Sequence, residues 1–137
     1  MKSDKLNLLE PYTGAWITEG KTVDGHIIKG TDTYEWLPGG SFLTHKVDVT
    51  IGNDEIKLLE IIHYDDLEDV FRTQSFDNRG NIAVSTLKII DDIILIFSEG
   101  ERFQGHFKKG IIDGVWEQFD GSSWCAWMNI KLTRQST

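Results

Sequence analysis

Turn-forming residue pairs punctuate this chain so regularly that little except an antiparallel β fold can accommodate them. Asp24-Gly25, Gly39-Gly40, Asp91-Asp92, Lys109-Gly110 and Asp120-Gly121 separate runs rich in β-branched and aromatic residues. Glycine supplies the positive φ that tight hairpins demand. Only Pro11 and Pro38 interrupt the backbone's donor supply. The runs predict strands at Gly14–Val23, His26–Leu37, Ser41–Ile51, Glu55–Asp65, Val70–Asp77, Asn81–Ile90, Ile93–Glu99, Arg102–Lys109, Ile111–Asp120 and Ser122–Thr133. A short helix is expected at Asp4–Leu9, capped by Asp4 and closed by Pro11.

Every connection is short, so each strand should pair with the next in an up-and-down meander. About ten strands leave two exposed edges unless the sheet closes on itself. The expected fold is therefore an all-β antiparallel barrel occupying residues 1–137 as one domain. A barrel of about ten strands is wider than its own side chains readily fill. Strand count thus leads to a pocket.

Composition narrows the partners. The chain carries 14 basic and 22 acidic residues, a net charge of −8. Such a surface repels nucleic acid and anionic membranes. Cys125 is the single cysteine, so an internal disulfide and a thiolate metal cluster are excluded. It is expected to act as a small, buried or half-buried hydrophobe. No signal peptide is legible at Met1–Tyr12, and Asp91-Asp92 breaks the longest apolar run, Ile89–Phe97. A cytoplasmic setting is expected.

Turn lengths decide which side chains face in. Across Lys109-Gly110, Arg102 should face Glu117, Phe103 face Trp116, Gly105 face Gly114, and His106 face Asp113. Across Gly39-Gly40, Tyr34 should meet His45 and Trp36 meet Leu43. A three-residue turn at Gly52-Asn53-Asp54 would place Lys46 against Glu60 and put Leu59, Ile61 and His63 inside. A two-residue turn at Asp120-Gly121 would bring Glu117, Phe119, Arg102, Gln104 and His106 inward with Trp124, Ala126, Met128, Ile130 and Leu132. A plain Asp24-Gly25 turn points Trp16 outward, which a bulge near Gly30 would repair. Trp127 is expected outside beside Cys125.

Gly14-Ala15-Trp16 after a short helix resembles the Gly-x-Trp opening of lipocalin-like (calycin) barrels. Arg134 resembles the basic residue that covers the tryptophan in them. The chain is also similar to a family of uncharacterised bacterial lipocalin-like proteins through Tyr34-Glu35-Trp36-Leu37-Pro38-Gly39-Gly40-Ser41-Phe42, Ser75-Phe76-Asp77-Asn78-x-Gly80, Arg102-Phe103-x-Gly105 and Gly114-x-Trp116-Glu117. That resemblance implies the barrel and no specific chemistry. Nitrobindin, a haem-binding cousin, opens Gly-x-Trp-x-Gly-x-Gly. Here Thr18 replaces the middle glycine and no histidine lies in the last strand, so no cofactor is expected.

The expected ligand site gathers Tyr34, Trp36, His45, His63, Arg72, Arg102, Glu117, Phe119, Trp124 and Met128. Aromatics would supply contact area and the histidines and Arg102 would orient a polar end, anionic if Arg102 faces it. The alternative for the rings is a solid core. No metal set is expected, since His45 and His63 lack a third ligand. Three functions stay open. One is a cytoplasmic protein enclosing a small apolar or amphipathic ligand. The second is an enzyme using Glu117 or a histidine with Arg102, although no catalytic motif is present. The third is a packed module that dimerises through Trp127.

Overall fold

In a computed structural model, residues 3–135 are described. A 3₁₀ helix, Asp4–Tyr12, precedes ten strands: β1 Gly14–Thr22, β2 Ile27–Trp36, β3 Leu43–Ile51, β4 Asp54–Asp65, β5 Val70–Asp77, β6 Ile82–Ile90, β7 Ile93–Ser98, β8 Glu101–Lys108, β9 Ile111–Phe119 and β10 Trp124–Arg134. Each strand pairs antiparallel with the next, and β1 pairs with β10, closing the barrel. The all-β expectation holds. The helix differs in kind: it is 3₁₀ and runs through Pro11, with Ser3 rather than Asp4 accepting the cap bond, from the Lys5 amide.

Closure is secured where the first and last strands meet. Trp16 on β1 lies opposite Arg134 on β10. Trp16 is fully buried and its indole N–H donates to the Tyr12 carbonyl at 2.9 Å. The Arg134 guanidinium lies 4.3 Å over the indole ring and donates to the carbonyls of Thr13 and Pro11. A cation on an aromatic face that also bonds two carbonyls fixes helix, first strand and last strand together.

The barrel is asymmetric from end to end. At the helix end Leu6, Leu9 and Tyr12 join Trp16, Leu43, Ile62, Phe71, Leu87, Ile94, Phe103, Ile112 and Leu132 in one buried cluster. This end is a packed core. The facing glycines Gly105 and Gly114 make room for the Phe103 ring: a methyl group on Gly105 would sit 2.7 Å from it, and one on Gly114 would collide with it. At the opposite end the cover is uneven: Thr22, Ile28 and Val49 are buried, while Ala83 and Gln118 are exposed at inward positions.

Register confirms some expectations and corrects others. The β8–β9 ladder has the four expected pairs, joined by Lys109-Gly110 with φ of 52° and 75°. Both values are positive, as a type I′ turn requires. Tyr34 faces His45 and Trp36 faces Leu43, also as expected. The first hairpin does not follow a plain Asp24-Gly25 turn. The Thr22 amide bonds the His26 carbonyl at 2.9 Å, leaving a three-residue loop with Gly25 at φ 94°. That extra residue turns Trp16 inward, so the repair near Gly30 is unnecessary.

Two further turns differ, with larger effect. Ile51 pairs with Asp54, so the β3–β4 turn is two residues, Gly52-Asn53, with Gly52 at φ 61°. A glycine-first turn of this kind suits a two-residue hairpin. The one-residue difference moves Leu59, Ile61 and His63 to the outer wall and brings Leu58, Glu60 and Ile62 inside. Between β9 and β10, Phe119 pairs with Trp124 across a four-residue loop, and a bulge then shifts the register between Ala126 and Met128. The extra residue puts Trp124 and Ala126 outside, while Met128, Ile130 and Leu132 stay inside. Thus β10 does not alternate cleanly.

Phe103 and its glycine slot yield a direct test. Gly114→Ala should destabilise the protein by about 1–3 kcal/mol through overpacking. Denaturant unfolding should show part of that loss recovered in Gly114→Ala/Phe103→Leu, because the two changes share one space. Strict additivity would refute the shared space.

Candidate functional site

The inward positions of four adjacent strands meet at mid-barrel in a row of hydrogen bonds. Thr18 on β1 donates its hydroxyl to Asp32 on β2. Asp32 Oδ2 lies 2.6 Å from His45 Nε2 on β3, and His45 Nδ1 lies 2.8 Å from Glu60 Oε1 on β4. Tyr34 stacks on the imidazole, with ring centres 4.0 Å apart and planes 7° from parallel. Alternation alone puts Asp32 beside Tyr34 and Trp36 on β2, while the short Gly52-Asn53 turn delivers Glu60.

Electrostatics fixes the protonation of this row. Burial alone would strip the imidazole of its proton, but hydrogen bonds and charge from Asp32 and Glu60 outweigh it and hold the His45 pKa at about 9. His45 is therefore an imidazolium at neutral pH, donating from both nitrogens. Burial, with the nearby charges of Asp32 and Glu60, raises the Tyr34 phenol well above its ordinary value, so it stays protonated. The side chains of Asp32, His45 and Glu60 are 9%, 11% and 15% exposed.

A second polar group lies nearer the open end. The Trp127 indole N–H donates to Glu101 Oε2 at 3.0 Å. Glu101 shares the inner face of β8 with Phe103, opposite Gln118 on β9. Trp127 reaches it because the bulge in β10 adds a residue beside Ala126. Burial raises the Glu101 carboxyl, against the hydrogen bonds from Trp127 and Gln118. Thr73 and Ser85, 2.5 Å apart, complete a hydroxyl-bearing wall on β5 and β6.

The residues expected at the site divide between the two faces. Tyr34, Trp36, His45 and Met128 face inward, Trp36 at the helix end, where its indole N–H donates to Glu10 at 2.8 Å. Six do not. His63 and Arg72 face outward from β4 and β5, opposite each other, because the β3–β4 turn is one residue shorter than expected. They line an open outer groove of about 790 Å³ with Phe42, Phe76 and Phe97, and Arg72 is paired to Asp65 at 2.6 Å. Arg102, Glu117, Phe119 and Trp124 form an outer-wall cluster. Arg102 Nε bonds Glu117 at 2.6 Å and its guanidinium lies 4.4 Å over Trp124, which packs on Phe119 at 5.4 Å. Arg102 and Glu117 side chains are 38% and 32% exposed. Parity is the reason: Phe103 and Trp116 occupy the inner positions, so their neighbours cannot. His106 and Gln104 are outside for the same reason.

This placement removes Arg102 as an orienter of ligand in the lumen, and it removes the Glu117–Arg102 pair from any lumen chemistry. Trp127, expected as an outer dimer contact, is turned inward. Cys125, expected half-buried, is exposed near Asp120.

No family model matches this sequence, and no curated protein sequence does either. Among solved structures the chain is similar to a redesigned β-barrel, mFAP0, bound to DFHBI, at 14% identity over 93% of this chain and 99% of that one, with a TM-score of 0.47. It is similar to EF1p2_mFAP2b bound to DFHBI at 12% identity, over 94% of this chain and 95% of that one, with a TM-score of 0.46. A fluorescence-activating β-barrel designed de novo aligns at 14% identity over 90% of this chain and 93% of that one, with a TM-score of 0.42.

The imidazolium makes stability depend on pH. Its folded pKa, about 9, exceeds the unfolded value near 6.5. The contribution is therefore complete below about pH 6.5 and lost as pH rises through about 9, on the order of 3 kcal/mol. Denaturant unfolding at pH 6 and pH 9.5 should show this fall. His45→Gln should flatten it and cost about 3–5 kcal/mol near neutrality, because two inward carboxylates then face each other uncompensated.

Proposed function

We propose that this chain binds a small amphipathic molecule in the open half of its barrel. The observation that carries the reading is the residual solvent contact of Asp32, His45 and Glu60, whose side chains face only the lumen at mid-barrel. A plugged barrel would shut these groups off, and their exposure therefore supports a cup above a packed floor. The walls are of two kinds. Ile51, Ile56 and Leu58, inward and half-buried, supply aliphatic surface on β3 and β4, while Ser75, Ser85, Ser98 and Glu101 supply polar groups on β5–β8. Apolar area with a few placed polar groups is the usual make-up of small-molecule sites.

Within this proposal the protein acts in the cytoplasm and without a cofactor, in the manner of the lipocalin-like barrels its Gly14-Ala15-Trp16 opening resembles. Binding, rather than catalysis, is favoured because His45 is held charged between two carboxylates and is not poised to exchange a proton near neutrality.

Two neighbouring substitutions test the lumen. Leu58 faces in and Leu59 faces out. A neutral naphthalene dye that brightens in apolar surroundings should bind the protein. Leu58→Trp, which fills the cup, should weaken binding at least ~10-fold, equivalent to about 1.4 kcal/mol, while Leu59→Trp leaves it unchanged. Equal effects of the two, or no dye binding, would count against a lumen site.

A further inference from the structure

The open half of the barrel is unbalanced in charge. On the alternation of wall and lumen positions, every Lys in the ten strands faces outward, and so do Arg72 and Arg102. Arg134 is the exception, and it is engaged over Trp16 at the sealed end. Five carboxylates hold inward positions: Asp32, Glu60 and Glu101, with Asp54 and Asp77 at strand ends. His45 offsets one of the two carboxylate charges beside it. Glu101 has no such partner, since among the described residues no ion pair within 4.0 Å includes it. Its hydrogen-bond donors are the neutral Trp127 indole and the Gln118 side chain.

Three independent features converge on this carboxylate. The β10 bulge departs from a regular ladder at the residue that aims Trp127 at it, and bulges commonly re-aim side chains at functional sites. Burial raises its carboxyl, a cost that an arriving cation would relieve. The opening is itself acidic. Its connections carry Asp24, Glu99 and Asp120, the strand ends beside them add Asp54 and Asp77, and Arg79 is bound to Asp54 at 3.6 Å. Turn hydrogen bonds hold the carboxyls of Asp24, Asp77 and Asp120 below their ordinary range, so the rim stays negative and draws cations inward.

We propose that the ligand is a cationic amphiphile, an amine or quaternary ammonium on a small apolar body, whose charged end sits against Glu101 beside the Trp127 ring. Its apolar body lies along the half-buried inward side chains Ile51, Ile56 and Leu58. This rests on the lumen-binding reading above and gives it a chemical class. A carboxylate next to an indole is a suitable receptor for an ammonium group, which gains from both charge and ring quadrupole. An anionic ligand would meet the rim, Glu101 and Glu60 with nothing to pair it.

Three probes sharing one 1-naphthylmethyl body separate the two readings: 1-naphthylmethylammonium, 1-naphthylmethanol and the 1-naphthaleneacetate anion, titrated calorimetrically at neutral pH and low salt. The ammonium should bind at least ~10-fold tighter than the acetate, with the alcohol between them. Glu101→Gln should erase most of that gap and leave the alcohol's affinity as it was. Ala83→Arg places a cation at an exposed inward position of the opening, and should weaken the ammonium and strengthen the acetate. If all three probes bind the native protein equally, the charge preference is wrong and the lumen reading stands. If none binds, the lumen reading itself falls. A preference that survives both substitutions overturns the assignment to Glu101.

Discussion

A closed sheet leaves each strand no free edge, so a register error anywhere must be absorbed by a neighbour or by the closing seam. Here the seam is the β1–β10 ladder, held at one end by the Arg134 guanidinium on the Trp16 ring and on two backbone carbonyls. With that latch in place the helix lies across the end of the barrel, its Leu6, Leu9 and Tyr12 side chains completing the floor. The same closure gives every residue of a strand one of two destinations, wall or lumen. The chemistry of the interior follows from that division.

The interior joins two regimes in one tube. Below mid-barrel it is a close-packed core of the kind any domain needs, and its facing glycines show how tightly the Phe103 ring is accommodated. Above mid-barrel the inward positions mix aliphatic side chains with polar and acidic ones, and Ala83 and Gln118 are exposed there. The Asp32–His45–Glu60 row marks the border. Burying charge is costly unless paired, and this row pairs an imidazolium with two carboxylates across three strands while a threonine on a fourth satisfies one of them.

Much of the fold is legible in the sequence because alternation and turn residues are local signals. Strand count, closure and the β8–β9 register follow from turn pairs alone. The site is less legible, and for one physical reason. Side-chain period in a strand is two, so one miscounted turn residue inverts a whole strand. Counting Gly52-Asn53-Asp54 as the turn makes it one residue too long, which hides Glu60 and admits His63. The bulge at Ala126–Met128 carries no distinctive residue that announces it, so the pairing of Trp127 with Glu101 has no sequence signal. Asp32 is available from alternation with Tyr34 and Trp36 and needs only to be weighed as a charge on an inner face. Arg102 and Glu117 show the converse: the Lys109-Gly110 turn predicts their pairing, while their side of the sheet hangs on the β9–β10 connection, whose loop is longer than two residues and is followed by the bulge, and they lie outside.

The adjacency of the first and last strands also governs how the molecule can be joined to others. Gly14 and Arg134 both lie at the packed pole, with the helix folded over it. The helix and the end of β10 therefore share the pole opposite the acidic one. Tethers or tags joined at that pole leave the acidic pole uncovered.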